Sequence, residues 1–215
     1  MAAPAFNFNP YIQTTAAGMF TIESDGLIVG TAYPDPAARF ALSGGWLATS
    51  ETLPMFGGLA ISEAVPQERP PVTRADVALG GIITRATVNT SAGATGSITG
   101  FSVFDQNYAA VNTPQSQVPT VGSGGLVNFY RLGSGARVAL AIDPALVASI
   151  ENGTTPITGQ VTWDLVNLRI QAFSTNALPV KILAVKSSNC MVPSYASATG
   201  FTTWSYNGAA CVCLL

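Results

Sequence analysis

Residues 157–172, ITGQVTWDLVNLRIQA, alternate between apolar and polar side chains over most of their length. A period of two places one set of side chains on one face of a β-strand, so Val161, Trp163 and Leu165 are predicted to fill a core. At Val166 the phase reverses, and the apolar side chains move to the other set of positions. The pattern therefore predicts one strand, about 50 Å long, with either a β-bulge at the reversal or a crossing between two sheets.

Turn signals recur along the rest of the chain at intervals of about ten residues, with short apolar runs between them. This spacing predicts an all-β protein, a jelly-roll-like antiparallel β-sandwich of eight to eleven strands. Residues 108–125 are predicted to form a long polar loop. Strands are predicted at 40–47, 53–64, 82–89, 98–104, 126–132 and 137–142, the last two joined as a hairpin across Gly133-Ser134-Gly135.

One short helix is predicted at residues 145–150. Asp143 is a suitable N-cap, and Pro144 fits the first helical position because it needs no backbone N–H donor there. Asn152-Gly153 is a typical C-terminal stop. We expect this helix to close one end of the sandwich.

The C-terminal part of the chain has two further predicted strands. Residues 179–185 are apolar on both faces, which predicts a strand that is central in its sheet or covered by another chain. Residues 201–206 are predicted to form a strand that ends in a turn at Asn207-Gly208. The apolar end of the chain, 209–215, is predicted to be a last, buried strand.

No break in composition divides the chain, so residues 19–215 are predicted to form a single domain. Residues 1–18 are predicted to be an extended arm, because Pro4 and Pro10 disfavour helix. The arm carries aromatic and no charged side chains, which indicates that it docks on something. Its own domain and a neighbouring chain both remain open as the docking surface.

Charged residues make up only 9% of the chain, against about 25% in ordinary proteins. Removing hydroxyl and amide groups from water costs less free energy than removing ions. The low charge therefore favours a permanently assembled subunit over a soluble monomer. The net charge is −2 and the basic residues are scattered, so no nucleic-acid partner is expected. No apolar run is long enough for a transmembrane helix, and no secretory signal is visible.

Histidine is absent from the sequence. The commonest general base, the Ser/His and Cys/His nucleophile pairs, and most zinc and iron sites are therefore excluded. The carboxylates are not embedded in an aromatic-rich sugar cleft, and no phosphate-binding glycine motif occurs. Trp46, Trp163 and Trp204 are predicted to pack in the core rather than to stack on sugars. We expect no enzymatic activity, cofactor or metal.

Three cysteines, Cys190, Cys211 and Cys213, lack the spacing of a metal site. They are predicted to be buried free thiols. A disulfide bond from Cys190 to Cys211 or Cys213 under oxidising conditions remains the alternative.

Two parts of the chain resemble a known family. The N-terminal FNFNPYIQTTAAGMFTIESDGLIVG and RFALSGGWLATSETLPMFGGLAISEAVP, with the C-terminal KILAVKSSNCMVP and WSYNGAACVCLL, are similar to the structural cement (capsid decoration) proteins of tailed bacteriophages. The resemblance implies a jelly-roll-like fold, assembly as a homotrimer, and binding to the major capsid protein on the outer surface of the phage head. Such a protein would be made in the host cytoplasm and would contact neither membrane nor nucleic acid.

The contact residues are predicted from the chain itself, on the uncharged arm and on the doubly apolar strand. They are Phe6, Phe8, Pro10, Tyr11, Ile12, Leu183 and Val185. A receptor-binding or tail-spike β-domain is the alternative reading, and it predicts an exposed sugar site. A cupin-like enzyme would share the jelly roll, but this chain lacks the histidine ligands of that class.

Overall fold

A computed structural model describes residues 26–33, 38–64, 81–91, 93–105, 110–113, 116–196 and 200–215. The predicted arm, residues 1–18, lies outside the described residues. The contact prediction for Phe6, Phe8, Pro10, Tyr11 and Ile12 falls on this arm and therefore stays a prediction.

The described residues are mostly β-structure with one short α-helix, which confirms the all-β class. A 3-10 helix, Ala38–Ala41, precedes the first strand, and the α-helix, α1, spans Pro144–Glu151. The strands are β1 (Leu42–Leu47), β2 (Ala60–Ala64), β3 (Ile82–Arg85), β4 (Gly100–Ser102), β5 (Val111–Thr113), β6 (Ser116–Thr120), β7 (Leu126–Arg131), β8 (Arg137–Ala141), β9 (Val161–Asp164), β10 (Arg169–Ala172), β11 (Lys181–Ala196) and β12 (Phe201–Leu214).

Five strands close into a barrel in the order β1-β3-β2-β4-β7. All of its described pairs are antiparallel except β1 with β3, which run parallel. Alternate side chains point inward, as the pleat of a strand requires. Gly45 faces the interior as well, because Ile83 occupies the space that a Cβ atom would need. The inward apolar residues include Leu47, Ile61, Ile83, Val127 and Phe129.

A second sheet has the order β11-β12-β8, with β12 in the middle. One of its faces contributes Ile182, Leu140, Cys211 and Cys213 to a large core cluster. The prediction that the apolar end of the chain is a buried last strand is thereby confirmed. β11 is an edge strand of this sheet, so a central position for residues 179–185 is wrong among the described strands. Cover by another chain remains a prediction.

The prediction of one long strand at 157–172 is wrong. The segment is a hairpin in which β9 and β10 pair antiparallel, with Ile170 opposite Trp163. The four residues between them form the turn, and Val166 is 87% exposed at its tip. A turn reverses the phase of the alternation just as a bulge does, which is why the pattern was compatible with both. The predicted core role is confirmed for Val161 and Trp163, which are buried, while Leu165 is half-buried against the same core.

Three loop predictions are also wrong. β7 and β8 do not pair as a hairpin, because β7 belongs to the barrel and β8 to the second sheet. The polar segment 108–125 contains the two-stranded hairpin of β5 and β6. Asn207-Gly208 is not a turn but lies inside β12, where the ladder is irregular. Gly208 leaves room there for Val192, and the Asn207 side chain accepts a hydrogen bond from the Asn189 backbone N–H.

The helix prediction is confirmed. The Asp143 side chain accepts a hydrogen bond from the Ala145 backbone N–H, and Pro144 stands in the first turn. Asn152 is the C-cap, and Gly153 follows with a φ of 76°, a conformation in which glycine has no steric penalty. Leu146 and Val147 are the buried residues of this helix.

Candidate functional site

The two predicted contact residues that the structure describes, Leu183 and Val185, differ in exposure. In the ladder with β12, Ile182 pairs with Cys213 and Ala184 with Val212, so Leu183 is an extra residue at a bulge. The bulge shifts the alternation, and Val185 packs half-buried against the large core beside Ile182. The Leu183 side chain is 45% exposed. Of the pair, Leu183 is therefore the more exposed residue, and its role as a contact stays a prediction.

The outer surface of the barrel carries a second apolar feature. Trp46 on β1 pairs with Ile82 on one side and with Leu126 on the other, and Ile82 pairs with Ala64. Directly paired residues share a face of the sheet, so these four side chains form one row across four strands. Leu47, next to Trp46, points into the barrel, and the row therefore points outward. We refer to Ala64, Ile82, Trp46 and Leu126 as the Trp46 row.

Trp46 is 40% exposed, while Ile82 and Leu126 are half-buried and Ala64 is exposed. The neighbouring position of β1 is Gly44, where a Cβ atom would meet the side chains of Leu126 and Asn128 at van der Waals distance. Polar side chains ordinarily cover the outside of a barrel, and here an aromatic ring stands between aliphatic neighbours. Such a row can bury apolar area against another protein surface without removing any charge from water.

A charged cluster lies at one end of the barrel interior, beyond the buried Phe129. The Arg131 guanidinium donates two hydrogen bonds of 2.7 Å to the Glu63 carboxylate and a third, also of 2.7 Å, to Ser43 Oγ. These hydrogen bonds lower the pKa of Glu63 against the opposing effect of its burial, and the Gly81 backbone N–H adds to the lowering. The same contact raises the pKa of Arg131. The cluster is an ion pair that ties β2 to β7.

The three cysteine side chains are buried and free, which confirms the prediction made for them. Cys211 Sγ and Cys213 Sγ lie 3.5 Å apart on the core face of β12. The contact with Cys213 and the burial raise the pKa of Cys211. Because the thiolate is the reactive form, this environment makes Cys211 a poor nucleophile. In the described part of the chain, no three His, Cys, Asp or Glu side chains are grouped to hold a metal ion.

The tryptophan prediction is confirmed for Trp163 and wrong for Trp46. Trp163 is 1% exposed and meets the ring of Phe101 edge to face, with 5.1 Å between centroids. Trp204 is half-buried, with its ring 5.7 Å from that of Phe104. The sequence around Trp46, LSGGWL, does not alternate, so no periodic signal separated its exposed ring from the buried Leu47.

The chain was compared with family models, with curated proteins and with solved structures, and none of the three comparisons found a match. Among the described residues, no helix is both long enough and apolar enough to cross a membrane.

Proposed function

We propose that this chain is a non-enzymatic structural subunit of a phage head, a homotrimeric cement protein that binds the major capsid protein on the outside of the shell. The observation that carries the proposal is the Trp46 row, an exposed aromatic residue among aliphatic neighbours on the barrel surface. The low charge of the chain and the resemblance of its two ends to cement proteins support it. The jelly-roll-like arrangement and the location on the virion belong to this proposal.

Tryptophan is among the residues that contribute most to protein interfaces, particularly where surrounding contacts exclude water. Ile82 and Leu126 flank Trp46 on its two sides. When a partner covers the row, these two side chains exclude water from the contact around Trp46. A sugar site would instead place hydrogen-bonding side chains around the exposed ring. The aliphatic flanks therefore favour a protein partner over the receptor-binding alternative.

The mechanism of stabilisation is thermodynamic. A ligand that binds only the assembled shell stabilises that state by mass action, and it needs no reactive group to do so. Because many copies act on one shell, contacts that are individually modest add to a large total. Low surface charge suits this task, since the contact does not require ions to be desolvated.

The test is binding to expanded capsids of the virus that encodes the chain, measured by co-sedimentation and by cryo-electron microscopy. We expect the native chain to decorate the shell and Trp46→Ala to bind about tenfold or more weakly, the loss usual for an interface anchor. Val166→Ala is the matched control, because Val166 is an exposed apolar side chain in the turn between β9 and β10, outside the Trp46 row. It should bind like the native chain.

Failure of the native chain to bind expanded capsids would refute the proposed function. Native binding that Trp46→Ala leaves intact would refute the role of the Trp46 row. Glycan binding that depends on Trp46 would instead support the receptor-binding alternative.

A further inference from the structure

Two of the three free thiols face each other on one strand. Cys211 and Cys213 lie two residues apart on β12, so their side chains are on the same face of the second sheet. Both are buried in the large core cluster, and their sulfur atoms are 3.5 Å apart. Since a disulfide bond is about 2.05 Å long, an approach of about 1.5 Å brings the two sulfur atoms to bonding distance. We refer to Cys211 and Cys213 as the thiol pair.

Cys190 lies on the other face of the same sheet. It packs with Ala210 in a separate cluster. Ala210 precedes Cys211 on β12, and successive side chains of a strand point to opposite faces. The backbone of β12 therefore lies between Cys190 and the thiol pair. In the ladder, Cys190 is also paired with Gly208, three residues along the strand from Cys211. This placement disfavours a disulfide from Cys190 to either member of the thiol pair.

We infer that the thiol pair is a redox site, which a two-electron oxidant such as hydrogen peroxide converts into a disulfide bond between Cys211 and Cys213. One thiolate attacks a peroxide oxygen and becomes a sulfenic acid, while the O–O bond breaks and the departing oxygen takes up a proton as water. The second sulfur then attacks the sulfenic sulfur, so that the S–S bond forms and the S–O bond breaks, which releases a second water. Two thiols and one peroxide thus give one disulfide and two waters.

The backbone of β12 makes this disulfide a strained one. Cys211 pairs with Leu140 and Cys213 with Val138, in regular register with β8. In an extended segment of this kind the two Cα atoms are about 6.4–6.8 Å apart, at the upper limit for a disulfide. The closed loop holds one intervening residue, so the cross-link removes little entropy from the unfolded chain. Strain therefore outweighs the entropic gain, and oxidation lowers the stability of the fold.

The oxidation depends on local opening of the second sheet. Both thiols are fully buried, and β12 lies between β8 and β11. An oxidant reaches the sulfur atoms only when the strands separate locally at this end of the sheet. The raised pKa of Cys211 also keeps its thiol protonated. The reaction is therefore slow compared with that of an exposed thiol.

The experiment treats the folded, full-length chain with equimolar hydrogen peroxide, blocks the remaining thiols with iodoacetamide and maps the products by mass spectrometry. Trypsin leaves the three cysteines on one peptide, because no Lys or Arg follows Lys186. Chymotrypsin cleaves after aromatic residues such as Tyr195 and Tyr206, so it separates Cys190 from the thiol pair. We expect a peptide with the thiol pair that has lost two hydrogen atoms, and an alkylated Cys190.

Two variants test the assignment of the bond. Cys190→Ala is the matched control, since it removes the thiol on the opposite face, and it should form the same disulfide. Cys213→Ala should form no disulfide within the chain. Circular dichroism checks that both variants fold, and the peptide map of the native chain identifies the bond without any variant.

The strain in the bond is measured on the native chain. The oxidised chain should unfold at a lower urea concentration than the reduced chain. In mixtures of reduced and oxidised dithiothreitol, the bond should be half reduced at a ratio of reduced to oxidised reagent about tenfold or more lower in the folded chain than in the chain unfolded by urea. The same bond in the unfolded chain is the reference, because no strand constrains it there.

A disulfide that includes Cys190, a disulfide between two chains, oxidation to sulfinic acid, or three free thiols after the treatment would each overturn the inference. An oxidised chain at least as stable as the reduced one would overturn the strained geometry on which it rests. All these measurements use the isolated chain, so the inference does not depend on the proposed function.

Discussion

Trp163 and Trp46 have the same side chain and opposite surroundings. Trp163 is 1% exposed, on a strand that packs against Phe101 and the large core. Trp46 is 40% exposed, on the outer side of a barrel strand whose neighbouring Leu47 fills the interior. Because folding stability depends on buried area and contact surfaces depend on exposed area, the two residues serve different purposes.

We expect Trp163→Ala to lower the free energy of unfolding by about 3–5 kcal/mol, since it removes a large buried ring and leaves a cavity. Trp46→Ala is the matched change at an exposed ring and should lower it by about 1 kcal/mol or less. Urea unfolding followed by circular dichroism measures both values. Equal losses for the two variants would show that Trp46, despite its exposure, contributes as much to folding stability as Trp163 does.

The sequence predicted the burial of Trp163 and not the exposure of Trp46 for a local reason. Around Trp163, polar and apolar residues alternate cleanly, so the apolar phase identifies the core face. Around Trp46 two glycines interrupt the pattern, and one of them, Gly45, faces the interior without contributing an apolar side chain. Only the register with β3 and β7 shows which side of β1 is outside.

At the scale of elements, the hairpin of β9 and β10 shows that a phase reversal in the sequence does not distinguish a turn from a β-bulge. Asp164 accepts hydrogen bonds from the backbone N–H groups of Val166 and Asn167 and from the Asn167 side chain. These contacts build the turn, and Leu168 completes it with a φ of 55°. Aspartate and asparagine are typical turn residues, so a signal was present. Apolar residues alternate with polar ones on both sides of the turn, so the turn signal was not recognised.

The ion pair between Glu63 on β2 and Arg131 on β7 has a predictable dependence on pH. The pKa of Glu63 is lowered in the folded chain, first by the hydrogen bonds from Arg131. Its stabilising contribution is therefore complete above the pKa of the unfolded chain and is lost as the pH falls through the lower folded value. We expect Glu63→Gln to lower the free energy of unfolding by about 1 kcal/mol at neutral pH, and by progressively less below about pH 4.

Urea unfolding at several pH values measures this difference. Glu151→Gln is the control, because Glu151 is an exposed carboxylate at the end of α1 that takes part in no ion pair among the described residues. It should show no loss at neutral pH. A Glu63→Gln deficit that persists unchanged at acidic pH would show that the pair does not act through the charge of Glu63.

For the whole molecule, the sequence predicted the class of fold but not the pairing of its strands. β7 and β8 are separated by a short glycine-rich connection, which ordinarily indicates a hairpin, yet they belong to different sheets. The choice depends on partners distant in sequence, since β7 pairs with β1 and β4 and β8 pairs with β12. The local composition of a strand does not indicate which distant strand it pairs with. The Trp46 row results from this pairing, so the sequence did not show it either.

The arm provides the prediction that concerns the assembled particle. Deletion of residues 2–17 should leave the unfolding midpoint of the chain unchanged, because an arm that docks on the capsid adds no contact to the folding of the free chain. Binding to capsids should weaken about tenfold or more, since the aromatic side chains of the arm are predicted contacts. Phe6→Ser/Phe8→Ser should reproduce the loss, and Asn7→Ser/Asn9→Ser, on the intervening positions, should not. A deletion that lowers the unfolding midpoint and spares binding would instead assign the arm to its own domain.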